Sequence, residues 1–191
     1  MTTNQTQELR LINAASRGDL DEVRRLVQLG IDLCAKNNQA LVFAAHKNHF
    51  HIVEYLVLKG ADLHVENDWV LQCATKKNNF EGVKFLVDNG ADIHVGKDIV
   101  LRIAAERGYL RIVEYLVQNG ANVNADDDDA IRSAIEFGHL DVVKFLVEHG
   151  ANLHPKKVTW PIELAKLANQ FHIVRYLQAL ESTFSYKRIY S

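Results

Sequence analysis

Apolar residues along this chain keep two rhythms, a short one inside segments and a long one between them. Inside segments of about ten residues they recur at steps of three and four, the spacing that gathers side chains on one helix face. Residues 98–107 place Leu101, Ala104 and Ala105 together, and residues 110–119 do the same with Ile112, Val113, Leu116 and Val117. The long rhythm is thirty residues: Val23, Val53, Val83, Val113 and Val143 form one column, and Leu26, Leu56, Leu86, Leu116 and Leu146 another. Between them runs an aromatic column, Tyr55, Phe85, Tyr115, Phe145 and Tyr176. A helix this short cannot bury such a stripe alone, whereas like units stacked side by side bury it continuously. The pattern predicts an array of helix pairs.

Polar positions punctuate the same period. Glycine closes each second helix at Gly30, Gly60, Gly90, Gly120 and Gly150, followed by Ala or Ile and then by Asp or Asn. Between the two helices of each unit stands Gly18, Asn48, Asn78, Gly108, Gly138 or Asn169. Glycine and asparagine most readily take the left-handed conformation that ends a helix. Asn38, Asp68, Asp98, Asp128 and Thr159 read as N-caps that open the first helices. Alanine keeps the register at Ala14, Ala44, Ala74, Ala104 and Ala134, and the last unit slips by one residue to Ala165 after an insertion within 154–161. These boundaries set apart a polar segment 1–7, a repeat domain 8–181 and a tail 182–191. The units fall near 8–30, 31–60, 61–90, 91–120, 121–150 and 151–181. The tail carries Phe184, Tyr186, Ile189 and Tyr190, which suit either folding back over the last helices or acting as a free recognition peptide.

Two stretches carry a likeness to a known family. They are Val53-Glu54-Tyr55-Leu56-Val57-Leu58-Lys59-Gly60-Ala61-Asp62-Leu63-His64 and Ile112-Val113-Glu114-Tyr115-Leu116-Val117-Gln118-Asn119-Gly120-Ala121-Asn122. Both resemble the second helix and following turn of the ankyrin repeat, and the likeness extends over residues 8–181. It implies an all-α ankyrin-repeat solenoid of about six stacked helix-turn-helix units. The usual unit has about 33 residues. Here three are missing between Gly-Ala-Asp and the first helix, and only Pro161 and Ile162 resemble the family's Thr-Pro-Leu-His opening. Short loops are therefore expected in place of long β-hairpin fingers. The thirty-residue form is similar to ankyrin-repeat proteins encoded by giant amoeba-infecting DNA viruses, which implies a protein acting on host proteins in the host cytoplasm.

The resemblance also implies where a partner binds: at the loop tips and on the concave side of the first helices. Carried over by column, the tips hold Lys36, Glu66, Lys97, Asp126 and Asp127. The ends of the first helices hold His46, Lys47, Lys76, Lys77, Glu106, Arg107, Glu136 and Phe137. A further column holds Trp69, Ile99, Asp129 and Trp160. Tryptophan is enriched among interface hot spots, although Trp69, Ile99 and Trp160 can equally pad the gap between shortened loops. The expected function is a monomeric, non-catalytic adaptor for one or more proteins, with a self-associating structural protein as the alternative.

Composition adds exclusions. The chain has 22 Lys and Arg against 24 Asp and Glu, so no basic field is available to grip nucleic acid. No apolar run approaches the ~20 residues that span a bilayer, and residues 1–10 lack the apolar segment of a signal peptide. Cys34 and Cys73 make no disulfide framework, which favours a reducing, cytoplasmic setting. Cys73 shares its column with Phe43, Ile103 and Leu164 and reads as core. No nucleophile has a base at triad-like spacing and no glycine loop suits a phosphate, so no enzyme, cofactor or metal is expected.

His64, His94 and His154 share a loop column with Asn124. Packed helices lie ~8–10 Å apart, too far for successive rings to share an ion at ~2 Å, so this column reads as hydrogen-bonding to the neighbouring loop. His49 and His51 read as capping and surface residues. The run Asp126 to Asp129 reads as an acidic tip with Asp128 as cap, since it lacks the Gly and distal Glu of a calcium loop. Asn13 and Arg25 at one end, and Lys166, Gln178 and Glu181 at the other, put polar groups on outward faces. Gly82 replaces the usual Ile or Val at a cost of ~1 kcal/mol in helix propensity, which marks its unit as the least protected internal one.

Overall fold

The computed structural model describes the backbone of residues 3–153 and 161–190, with side chains over 5–153 and 161–182. Among the described residues every regular element is an α-helix and there is no strand. The helices come in pairs: α1 (Thr3–Arg17) with α2 (Leu20–Gln28), α3 (Ala35–His46) with α4 (Phe50–Leu58), and α5 (Val65–Lys76) with α6 (Phe80–Asp88). They continue as α7 (Val95–Glu106) with α8 (Leu110–Gln118), α9 (Ala125–Phe137) with α10 (Leu140–Glu148), and α11 (Pro161–Leu167) with α12 (Phe171–Tyr190). The first helix begins inside the polar segment 1–7, and the backbone of α12 runs on through the tail. Thr159, His154 and Trp160 lie outside the described residues, as do the tail side chains Phe184, Tyr186, Ile189 and Tyr190.

The chain divides into two compact units, residues 1–95 and 96–191. In the first, α1, α3 and α5 pack side by side, with α2, α4 and α6 forming a second layer behind them. In the second, α9 packs on α10 and α11, α11 on α12, and α10 lies between α8 and α12. The periodic apolar columns make the cores. Val23, Val53 and Val83 are buried with Leu26, Leu56 and Leu86 in the first unit, and Val113, Val143, Leu116 and Leu146 in the second. Each such leucine contributes roughly 1.5–3 kcal/mol by leaving water. Ala14, Ala44 and Ala74, and likewise Ala104, Ala134 and Ala165, are wholly buried. The aromatic column is half-buried and keeps an outer edge, with Arg24 and Lys59 each 5.8 Å from the centre of the Tyr55 ring.

Two sequence expectations need correction. Asn38, Asp68, Asp98 and Asp128 stand directly before the right-handed part of each first helix, but as the last of three left-handed residues, at φ 56°, 52°, 59° and 66°, and Asn38, Asp68 and Asp98 accept from the next loop. Asn and Asp are good caps but are also the side chains that best tolerate this conformation, so the residue type alone could not separate the two roles. Phe43 is not core; it is 39% exposed, because the neighbouring place on α1 holds Asn13, itself exposed. At Gly82 a Cβ would meet the Asn79 side chain at 2.7 Å and the Phe50 ring at 3.0 Å. The Asn79 carboxamide accepts from the Gly82 N–H at 2.9 Å, so the glycine admits both a cap and a buried aromatic ring.

Candidate protein-interaction surface

The loop tips are set by a repeated ladder of Asn and Asp side chains. The first carboxylate or amide after each closing turn folds its own loop: Asp32, Asp62, Asp92 and Asn122 accept from the N–H two residues on, at 2.9, 3.0, 2.8 and 3.0 Å. The last left-handed residue then fastens the next loop. In the first unit Asn38 accepts from the Asp62 N–H at 3.0 Å and Asp68 from the Asp92 N–H at 3.1 Å. In the second, Asp98 accepts from the Asn122 N–H at 3.1 Å. With the third left-handed residue turned inward and buried, the two before it are pushed outward. That is why Lys36, Glu66, Lys97, Asp126 and Asp127 are exposed at the tips.

The other end of each first helix is fixed by a left-handed joint. Gly18, Asn48, Asn78, Gly108, Gly138 and Asn169 have φ of 82°, 67°, 54°, 69°, 84° and 59°. Where the joint is glycine, a side chain of the following pair lies over it. His49 covers Gly18 within the first unit; His139 covers Gly108 and Gln170 covers Gly138 within the second, each closer than 3 Å to where a Cβ would stand. The His139 ring nitrogen Nε2 also lies 2.9 Å from the Glu106 carbonyl, and Gln170 donates to the Glu136 carbonyl at 3.3 Å. His46, Lys47, Lys76, Lys77, Arg107, Glu136 and Phe137 are displayed just ahead of these joints, all exposed.

The two units differ in how their charges are spent. In the second, Lys97 donates to Asp126 at 2.6 Å across consecutive tips. That hydrogen bond and the attraction behind it raise the Lys97 ammonium and lower the Asp126 carboxyl from their ordinary values. Arg102 donates to Glu106 at 3.0 Å and lies 3.3 Å from Asp129, which also pairs with Arg132. In the first, no carboxylate among the described residues pairs with Lys36, Lys47, Lys76 or Lys77. Lys76 instead stands 4.2 Å over the Trp69 ring. Among the described residues no group of three His, Cys, Asp or Glu could hold a metal ion. None of the described helices is long and apolar enough to cross a membrane.

A family model described as ankyrin repeats in three copies matches residues 11–97, 71–157 and 101–185, overlapping along most of the sequence. The chain belongs to the ankyrin-repeat family. No curated protein matches it. Ankyrin repeats are generally protein–protein interaction modules without catalytic activity.

Set on this ankyrin-repeat frame, the sequence-predicted residues separate by environment. Trp69, Ile99, Glu106 and Asp129 are half-buried, while the remaining described ones are exposed. Glu106 and Asp129 are drawn into the Arg102 network. Sequence reasoning passed over Arg102 and Arg132, although their spacings of four to Glu106 and three to Asp129 are those of helical ion pairs. The loop column splits as well. Asn124 does hold its neighbour, donating to the Gly150 carbonyl at 3.1 Å and accepting from the Asn152 N–H at 2.8 Å. His64 turns to its own repeat, with Nδ1 3.2 Å from Asp68.

Proposed function

We propose that this chain is a non-catalytic adaptor that binds a protein partner through its loop tips and the exposed ends of its first helices. One observation carries the reading: both sets of side chains are displayed from backbone already fastened by hydrogen bonds, so little order has to be gained on binding. Lys36, His46, Lys47, Glu66, Lys76 and Lys77 serve this role on the first unit, with Trp69 as anchor. On the second, Lys97, Arg107, Asp126, Asp127, Glu136 and Phe137 do so, with Ile99, Glu106 and Asp129 supporting them from beneath. Phe137 is 54% exposed, an apolar ring with no burial of its own to explain it. The free thiols suit a reducing compartment.

The test is affinity capture from cells with the full chain, set beside a Trp69→Ala, Phe137→Ala double variant of unchanged circular dichroism. Specific partners should be lost from the variant. Retention of all of them, or a mass in light scattering that grows with concentration, would replace this reading with another surface or with self-association.

A further inference from the structure

We propose that the exposed face of α1, α3 and α5 receives an acidic segment of a protein partner, held by Arg17, Lys47 and Lys77 with Trp69 as its apolar anchor. This rests on the adaptor reading and adds the partner's chemistry. Arg17, Lys47 and Lys77 occupy one equivalent place, each directly before a left-handed joint, at Gly18, Asn48 and Asn78. His46 and Lys76 stand one residue earlier. Because α1 packs on α3 and α3 on α5, the cations form a row whose step is the helix packing distance, ~8–10 Å.

Among the described residues no acidic side chain of the first unit is paired with the later part of that row, Lys47, Lys76 and Lys77. The sequence has no Asp or Glu between Asp32 and Glu54. Apolar surface accompanies the charge: the exposed Phe43 lies one turn before Lys47, and the half-buried Trp69 two turns before Lys76. A helix C-terminus does favour cations, but the same two places hold Glu106 and Arg107 on α7, 3.7 Å apart, and Glu136 and Phe137 on α9, so helix ends alone do not require the uncompensated cations of α3 and α5.

The chemistry favours a short acidic peptide over a nucleic acid. Residues 1–95 hold ten Lys and Arg against twelve Asp and Glu, so a long polyanion would run off the row into acidic surroundings. An extended peptide advances ~3.3–3.6 Å per residue. Carboxylates at every third residue therefore match the step from Arg17 to Lys47 to Lys77.

The test uses the full chain and a synthetic peptide with Glu at every third position around a central Leu. Its comparators are a peptide of the same composition with the Glu residues clustered, and a single-stranded oligonucleotide of equal charge. Calorimetry should show the spaced peptide binding best and weakening steeply with salt. A Lys47→Glu, Lys77→Glu variant of unchanged circular dichroism should lose at least ~10-fold in affinity, while Lys84→Glu, on α6 in the other layer, loses none. Equal affinity for that variant, equal binding of both peptides, or tighter binding of the oligonucleotide would overturn the proposal. A captured partner that depends on Trp69 and Phe137, yet binds the charge-reversed variant undiminished, would leave the adaptor reading standing and overturn this one.

Discussion

At the scale of single residues, position decides chemistry more than residue type does. Cys34 is exposed, whereas Cys73 is buried in α5, and burial pushes its thiol up to about 11 against the opposing pull of Lys76 and Lys77. A thiol reagent at mildly alkaline pH should label one cysteine per native chain quickly and the second only as the chain unfolds. Cys34→Ser should abolish the fast phase; rapid labelling at both sites would show that α5 opens readily. Asp128 poses the same question for a carboxylate. Burial raises it above the ordinary carboxyl value, Asp127 adds to the rise, and a hydrogen bond from Asn152 opposes it. A raised folded-state value means its contribution to stability is complete below the unfolded value and is lost as pH rises through the folded one. Asp128→Asn keeps an acceptor for Asn152 and should melt slightly higher than wild type at neutral pH, a gain that vanishes in acid. A lower melting point at neutral pH would show that the loop needs the charge.

At the scale of elements, glycine substitutions separate helix propensity from packing. Gly82→Ala should gain ~1 kcal/mol in α6 from propensity and lose a similar amount by displacing Asn79 from its cap. Chemical denaturation should therefore find no net stabilisation, and a clear gain would mean that Asn79 and Phe50 move aside freely. Gly108→Ala has no such compensation, because φ is 69° and the new methyl would stand 2.4 Å from the His139 ring. It should cost roughly 1–3 kcal/mol; a neutral result would show that the ring is not held there. These positions also show what could be read in advance. The joints were legible because Gly and Asn recur at places that need positive φ. The ladder was not, because Asn and Asp suit a cap and a left-handed turn alike, and the partner of Asn38 or Asp68 lies twenty-four residues away. Likewise Phe43 looked like core by its column, since exposure there depends on what the adjacent helix offers.

At the scale of the whole molecule, stability should be distributed by neighbourhood. Each of the two compact units buries its own leucine and valine columns, and repeat arrays gain their stability from contacts between adjacent modules. Leu56→Ala should cost about 2–5 kcal/mol. Hydrogen exchange should then report lost protection mainly within residues 1–95, with residues 96–191 far less affected. Uniform loss along the chain would instead mark a single cooperative body.

The rungs from Asn38 to Asp62, Asp68 to Asp92 and Asp98 to Asn122 are chemically interchangeable, and so dictate no particular length. An in-frame gain or loss of one thirty-residue block would leave every remaining rung able to form, which opens the coding sequence to growth and shrinkage by unequal recombination. The last rung obeys another rule, with Asn124 rather than Asp128 taking the Asn152 N–H. Blocks exchanged freely upstream would need a rebuilt junction there.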